Sequence, residues 1–303
     1  MSQSQPLLGL VNEFSRRPDI SPKTRLFYRD QLTRQFLPWA QANGITAPEQ
    51  LVPSTVTDYA LHLEARRTKA GQPLSRASCR TYLKALQQWM GWLQKRKGVE
   101  GIDSTQVPLP PLRRQQREVL SRLELQTLED AAPTERNKLL IRLMADTGAR
   151  EGEVVSMKRE DLIERGRVHY VRLRGKTGER MIPIQPSLYR RLRAYAEGKS
   201  GRPRSAQPRL FLSERRRPQG EHEPLTENGV YQAFRDAVTR SGLERRVYPH
   251  LLRHSAITAM VVKGMHPALV SDITGVSVQV IASHYSHPTL EQRHEAMMRV
   301  LDA

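Results

Sequence analysis

The sequence predicts a mainly α protein with a small antiparallel β-sheet, built as an N-terminal helical bundle followed by a C-terminal α+β domain. Three observations predict it. Apolar residues recur at helical spacing through the first third, a proline-rich stretch around Pro108 interrupts all periodicity, and one strand–turn–strand region, with alternation over 168–173 and a second strand at 180–184, lies within further helical pattern. At 303 residues the chain exceeds the usual single-domain size, and each half is long enough to bury its own core.

After Ser21-Pro22, the apolar residues Tyr28, Leu32, Phe36, Trp39 and Ala40 keep a helical spacing that stops at Gly44. A second helix opens at Ser54 with Val56, Tyr59, Ala60 and Leu63 on one face. A third opens at Ser75, places Leu83, Leu86, Met90 and Leu93 inward, and ends at Gly98. Around these stripes sit Arg66, Arg67, Lys69, Arg76, Arg80, Lys84, Lys95, Arg96 and Lys97. The bundle is expected to span 7–99. Residues 100–118 contain Pro108, Pro110 and Pro111 and read as a semi-rigid linker whose Arg113, Arg114 and Arg117 suit a strap on a phosphate backbone.

The second domain, 119–303, opens with Ser121-Arg-Leu-Glu124, a capping-box pattern. A helix from Thr134 to about Asp146 buries Leu139, Leu140, Leu143 and Met144 and ends at Thr147-Gly148. Val168–Leu173 and Arg180–Ile184 form strands around a Gly175-Lys-Thr-Gly178 turn, and a short strand is expected at Leu210–Leu212. Helices restart near Thr226, His250, Pro267 and Val278.

Charge narrows the function class. Lys and Arg total 49 against 31 Asp and Glu, a net charge of +18, and such a field attracts polyanions. Acidic membrane surfaces are the other candidate, but no basic amphipathic helix or lipidation signal supports them. No apolar run approaches the roughly 20 residues that cross a bilayer, and the N-terminus lacks a secretory pattern. The single cysteine, Cys79, has no intramolecular disulfide partner. The expectation is a cytoplasmic, nucleoid-associated protein that binds double-stranded DNA.

Four separated segments carry the chemistry: TGAREGE with Arg150 and Glu153, the hairpin tip with Lys176, HLLRH with His250, Arg253 and His254, and ASHYSHP with Tyr285. Cleaving a phosphodiester without metal calls for such a set. Two guanidinium groups clamp the non-bridging oxygens of the transition state. A histidine serves as base or donor, and a lysine protonates the departing 5′ oxygen. A tyrosine hydroxyl attacks and leaves an ester that a 5′ hydroxyl later reverses. The ester conserves the bond energy, so no cofactor, ATP or metal is expected. His250 and His254 have an i, i+4 zinc-ligand spacing, but the glutamate of H-E-x-x-H is absent and Cys79 is distant in sequence; a structural role for His254 is the better reading.

In order and wording, these segments resemble the boxes of the tyrosine recombinase and integrase family, which includes phage integrases and Xer resolvases. The resemblance runs over about residues 7–303. It implies that Arg150 and Arg253 are the two catalytic arginines, Glu153 the structural partner of Arg150, Lys176 the hairpin lysine, His250 the acid/base and Tyr285 the nucleophile. It also implies a site-specific recombinase that integrates, excises or resolves DNA through a 3′-phosphotyrosine, with the helical N-terminal domain binding DNA. A homotetramer, or a pairing with a related recombinase, on two DNA sites is implied too, with the C-terminal helix (Ala296, Met297, Val300, Leu301) docking into a neighbour. One position departs. The family writes histidine or tryptophan after the glycine at 275, and this chain has Val276. Valine packs but donates no hydrogen bond, which puts the rate in question, with His284 or His287 as compensating neighbours. The alternatives are a type IB topoisomerase-like enzyme, a catalytically impaired DNA-binding paralogue and a metal-dependent nuclease.

Overall fold

A computed structural model of the protein describes residues 7–99, 101, 103–111, 118–175, 178–203, 205–216, 222–284 and 297–298. The chain divides into two units, Met1–Gln116 and Arg117–Ala303.

The first unit is helical: α1 (Leu7–Phe14), α2 (Pro22–Gln31), α3 (Leu37–Ala42), α4 (Pro53–Ala65) and α5 (Arg76–Trp92). The caps come from the sequence. The Ser21 hydroxyl accepts from the Thr24 N–H, with Pro22 at the first helical position. Ser75 does the same for Ser78, and Gly98 closes the α5 extension in the left-handed region. Leu83, Leu86, Met90 and Leu93 all point into the core, packed with Phe14, Phe36, Tyr59 and Trp89. The Phe36 and Tyr59 rings meet edge to face at 5.1 Å. Helix α1 lies ahead of the helices expected from periodicity, and its Leu7, Leu10, Val11 and Phe14 form an i, i+3, i+4, i+7 stripe that is buried. Within the proline-rich stretch, Val107 is buried in this core and Leu109 packs against it, while Arg80 Nη1 donates to the Pro110 carbonyl at 2.8 Å. Apolar side chains at both positions give that half of the stretch something to bury. Arg113, Arg114 and Arg117 lie outside the described residues.

The second unit holds α6 (Arg122–Ala131), α7 (Glu135–Thr147), α8 (Glu151–Ser156), α9 (Pro186–Ala196), α10 (Glu227–Ser241), α11 (Pro249–Val262), α12 (Pro267–Thr274) and α13 (Val278–His284). The expected capping box is present: Ser121 accepts from the Glu124 N–H, and Glu124 accepts from the Ser121 N–H at 2.7 Å. Antiparallel strands β1 (Leu162–Arg165), β2 (Val168–Gly175) and β3 (Gly178–Ile184) form one sheet in that order. In the β2–β3 register Leu173 faces Arg180, and Gly175 faces Gly178.

The fold class is as expected, mainly α with small antiparallel sheets. Two sheets replace the single one, because β4 (Leu212–Arg216) pairs with β5 (His222–Pro224). The strand expected at 210–212 overlaps β4 only at Leu212. Leu210 and Phe211 are buried in the core, and pairing starts at Leu212. Strand β1 and helices α8 and α9 are additions to the sequence reading. Within this unit a buried Glu129 on α6 takes Arg191 of α9 at 2.6 Å and Arg142 of α7 at 3.6 Å, tying three helices together. No helix among the described residues is long and apolar enough to cross a membrane.

Candidate active site

Helix α7 stops at Gly148, which takes φ of +63° and leaves its carbonyl free for a side chain. A side chain there would be strained by that backbone conformation, and its Cβ would already sit in contact with Ala256 and Thr274. Ala149 follows, and Arg150 then occupies the N-cap of α8 in an extended conformation. Glu153, in the first turn, reaches back to accept the Arg150 N–H at 2.8 Å and the Arg150 Nη1 at 2.9 Å. A third donor to this carboxylate is Arg180 Nη2 on β3, which reaches Glu153 Oε2 at 2.6 Å.

Glu153 is 3% exposed, while Arg150 is 40% exposed. Burial alone would raise the Glu153 carboxyl. The Arg180 hydrogen bond, the Arg150 N–H and both guanidinium charges outweigh burial and hold it below the usual carboxylate range. Glu153 and Arg150 are joined by a second arginine, Arg180, which the sequence marks only as the first residue of the second hairpin strand. Strand alternation could not separate Arg180 from Arg172 and Arg174. Those two pair with Glu179 and Asp161, whereas Arg180 turns toward α8 and α12.

Gly175 lies against this carboxylate. A Cβ built on it would stand 2.5 Å from Glu153 Oε1, and Glu153 is pinned by two arginines and cannot swing aside. Gly175→Ala is therefore expected to destabilise the unit by about 2 kcal/mol, typical of overpacking. A thermal melt checks this through a fall of about 4–8 °C, and an unchanged melt would show that the strand can shift.

Pro249 starts α11, and Leu251 through Ile257 are buried in succession. His250 and Arg253 lie about one turn apart on this helix, His250 exposed at its opening and Arg253 3% exposed. His254 is also buried. Ser255 pins the start of the unit by accepting the Leu120 N–H at 2.8 Å. Arg253 Nη1 donates to the Gly148 carbonyl, and its Nη2 donates to the Thr274 carbonyl at 2.8 Å.

Helix α12 closes at Gly275, again left-handed. Its last carbonyls have no partner within the helix and carry the negative end of its dipole. Three arginines meet them in succession: Arg180 Nε at Ile273 (2.9 Å), Arg253 Nη2 at Thr274 (2.8 Å) and Arg150 Nη2 at Gly275 (3.1 Å). Arg150 and Arg253, 103 residues apart by number, thus converge on neighbouring peptide groups. Val276 comes next and packs on Ile257, Val270 and Ile281. Lys176, Tyr285 and His287 lie outside the described residues, as does the side chain of His284. Among the described residues no group of three or more His, Cys, Asp or Glu side chains could hold a metal ion.

The phage integrase family model matches residues 118–292. The chain belongs to the phage integrase family, the tyrosine recombinases. Its relatives in the family include tyrosine recombinase XerD of Corynebacterium glutamicum, 25% identical over 287 residues that cover 91% of each chain. Tyrosine recombinase XerC 2 of Ralstonia nicotianae is 24% identical over 85% of this chain and 75% of its own. The fold is shared with XerH site-specific recombinase bound to difH substrate, at a TM-score of 0.69 and 18% identity over 96% of this chain and 84% of that one. It is shared as well with a lambda integrase dimer bound to a COC′ core site, at a TM-score of 0.68 and 17% identity over 93% and 77%.

Proposed function

We propose that the protein is a site-specific DNA recombinase, an enzyme that cuts and rejoins duplex DNA to integrate, excise or resolve it. The observation that carries this reading is the convergence of Arg150 and Arg253 on the carbonyl end of α12, just before the segment that holds Tyr285. In the proposed reaction the two guanidinium groups bind the non-bridging oxygens of the scissile phosphate and offset the charge of its pentavalent transition state. His250, exposed at the opening of α11, donates to the same phosphate or moves the proton of the nucleophile. The Tyr285 hydroxyl attacks phosphorus, the bond to the 5′ oxygen breaks, and Lys176 supplies the proton that the leaving oxygen takes. Attack by a 5′ hydroxyl on the phosphotyrosine reverses the step on the same or another strand, so neither ATP nor metal enters.

Glu153 is the support for Arg150. The N-terminal helical domain, with Arg66, Arg67, Lys69, Arg76, Lys84, Lys95 and Arg96 exposed, supplies further phosphate contacts. Assembly on two sites, as a homotetramer or with a related recombinase, completes the proposal.

The test is a duplex built on the sequence that the wild-type protein enriches from a randomised DNA pool, nicked so that the cleaved fragment diffuses away. A covalent protein–DNA adduct is expected, mapping by mass spectrometry to the peptide holding Tyr285 and forming equally well in EDTA. A chelator-sensitive cut without an adduct would sink the reading. Plasmid relaxation by a monomer without recombinant product would favour a topoisomerase.

Val276 offers a gain-of-function arm. Histidine there restores a donor to the phosphate, so Val276→His is expected to speed adduct formation by about tenfold, the lower end of what one such donor contributes. An unchanged or slower rate with native affinity would show that valine is no handicap.

A further inference from the structure

Of the three arginines at the carbonyl end of α12, two are assigned above to the phosphate, and Arg180 has no part in the reaction so far. Its position is unlike that of the other hairpin arginines. Arg172 and Arg174 are 30% and 37% exposed; their pairs with the half-exposed Glu179 contribute little, and Arg174 also holds the buried Asp161 next to the hairpin, well short of α12. Arg180 is 10% exposed and spans three elements: it starts on β3, bonds Glu153 on α8 and bonds the Ile273 carbonyl on α12.

The two bonds use Nε and Nη2, the side edge of one guanidinium plane. That edge presents two parallel donors at fixed separation, so it sets the distance between the Glu153 carboxylate and the end of α12. A lysine, a single point of charge, would reach one acceptor and leave the spacing free. A buried ionic group of this kind adds less to stability than a well-packed apolar side chain would, so its value here is geometric.

Two of the elements it joins lead directly to the proposed chemistry. Lys176 precedes Arg180 by four residues on the hairpin, and Tyr285 follows Ile273 by twelve. Glu153, the third element's contribution, orients Arg150. We propose that Arg180 is a positioning residue for strand cleavage, fixing the register between the hairpin that carries Lys176, the Glu153–Arg150 pair and the helix end that leads to Tyr285. This rests on the recombinase reading above and adds to it a residue that acts without touching the phosphate.

The test compares Arg180→Met, close in length and uncharged, and Arg180→Lys with wild type on the pool-selected nicked duplex. Four quantities are read: melting temperature, DNA affinity, single-turnover adduct rate, and amide hydrogen exchange across 268–284. Arg180→Met is expected to keep its affinity within about twofold while the adduct forms roughly ten- to a hundredfold more slowly, the usual penalty for a misplacement near 1 Å. Exchange at 268–284 quickens while α6 and α7 stay protected, and Arg180→Lys recovers part of both losses. A wild-type adduct rate in Arg180→Met overturns the proposal. So does a rate that falls in step with affinity and melting temperature, with no recovery in Arg180→Lys, because that is what a residue needed only for folding would give. If the wild-type protein forms no adduct, the recombinase reading itself fails. The exchange comparison then judges Arg180: unchanged exchange at 268–284 overturns the positioning role, and faster exchange there supports it.

Discussion

Tyr285→Phe is expected to bind the selected duplex with affinity within about twofold of wild type and to form no covalent adduct. Binding to DNA is dominated by phosphate neutralisation, to which one phenol hydroxyl adds little. Chemistry is another matter, since no phosphotyrosine can form without that oxygen, and the loss on a single-turnover gel should exceed about 10⁴-fold, as for other removed nucleophiles. The nicked duplex makes the result clear-cut, because the released fragment cannot religate and every productive attack accumulates. Persistence of the adduct in Tyr285→Phe would mean that another side chain attacks. Loss of binding together with the adduct would move Tyr285 from the reaction to the fold.

Arg253→Ala carries the second large effect, and it has two parts. The side chain is almost wholly buried and donates charged hydrogen bonds to the Gly148 and Thr274 carbonyls. Truncating it leaves both acceptors unpaired at a cost of about 3 kcal/mol, a fall in melting temperature of about 6–12 °C for a unit of this size. The adduct rate, measured well below the lowered melting temperature, should fall by at least about a thousandfold, since a preorganised positive group facing the developing charge is gone. Arg253→Lys separates the parts. It keeps the charge and one carbonyl bond, so stability should return more fully than rate, which depends on the planar fork. A rate that recovers in proportion to stability would argue that Arg253 is a brace between α7 and α12 and no phosphate clamp.

Much of the second unit was legible because its helix ends are written in side chains. Ser121 with Glu124, Thr134 with Gly148 and Thr226 each place a hydroxyl or a glycine where the backbone needs it, and the structure uses each of them. Helix α9 was legible too. Pro186 at its first position and the run Leu188, Leu192, Tyr195 state a buried stripe that is absent from the expectations above. Strand β1 was not legible, because the four residues Leu162–Arg165 make no alternating pattern and become a strand through their register with β2. Helix α8 is likewise too short, at six residues, to display a period.

The site divides along the same line. Arg150, His250, Arg253 and Glu153 were singled out because they stand in local motifs with distinctive neighbours. Arg180 sits among Arg172 and Arg174 on one hairpin, and sequence offers no reason to prefer it. Its distinction is a contact with Ile273, 93 residues away in the chain.

The three arginines at the end of α12 grip main-chain oxygens, atoms that every residue type supplies. The hydrogen bonds of such a frame do not depend on side-chain identity at positions 273 and 274, which packing constrains instead: Thr274 is fully buried with its hydroxyl on the Val270 carbonyl, and Ile273 packs against the core. This is how the chain can carry valine at 276, where its family writes histidine or tryptophan, without disturbing the two arginines beside it. In the proposed reaction a substitution at 276 alters what is presented to the phosphate while the three arginine-to-carbonyl bonds stay in place, so this turn is where the rate of strand cleavage is expected to be tunable, by selection or by design, within what the packing of position 276 allows.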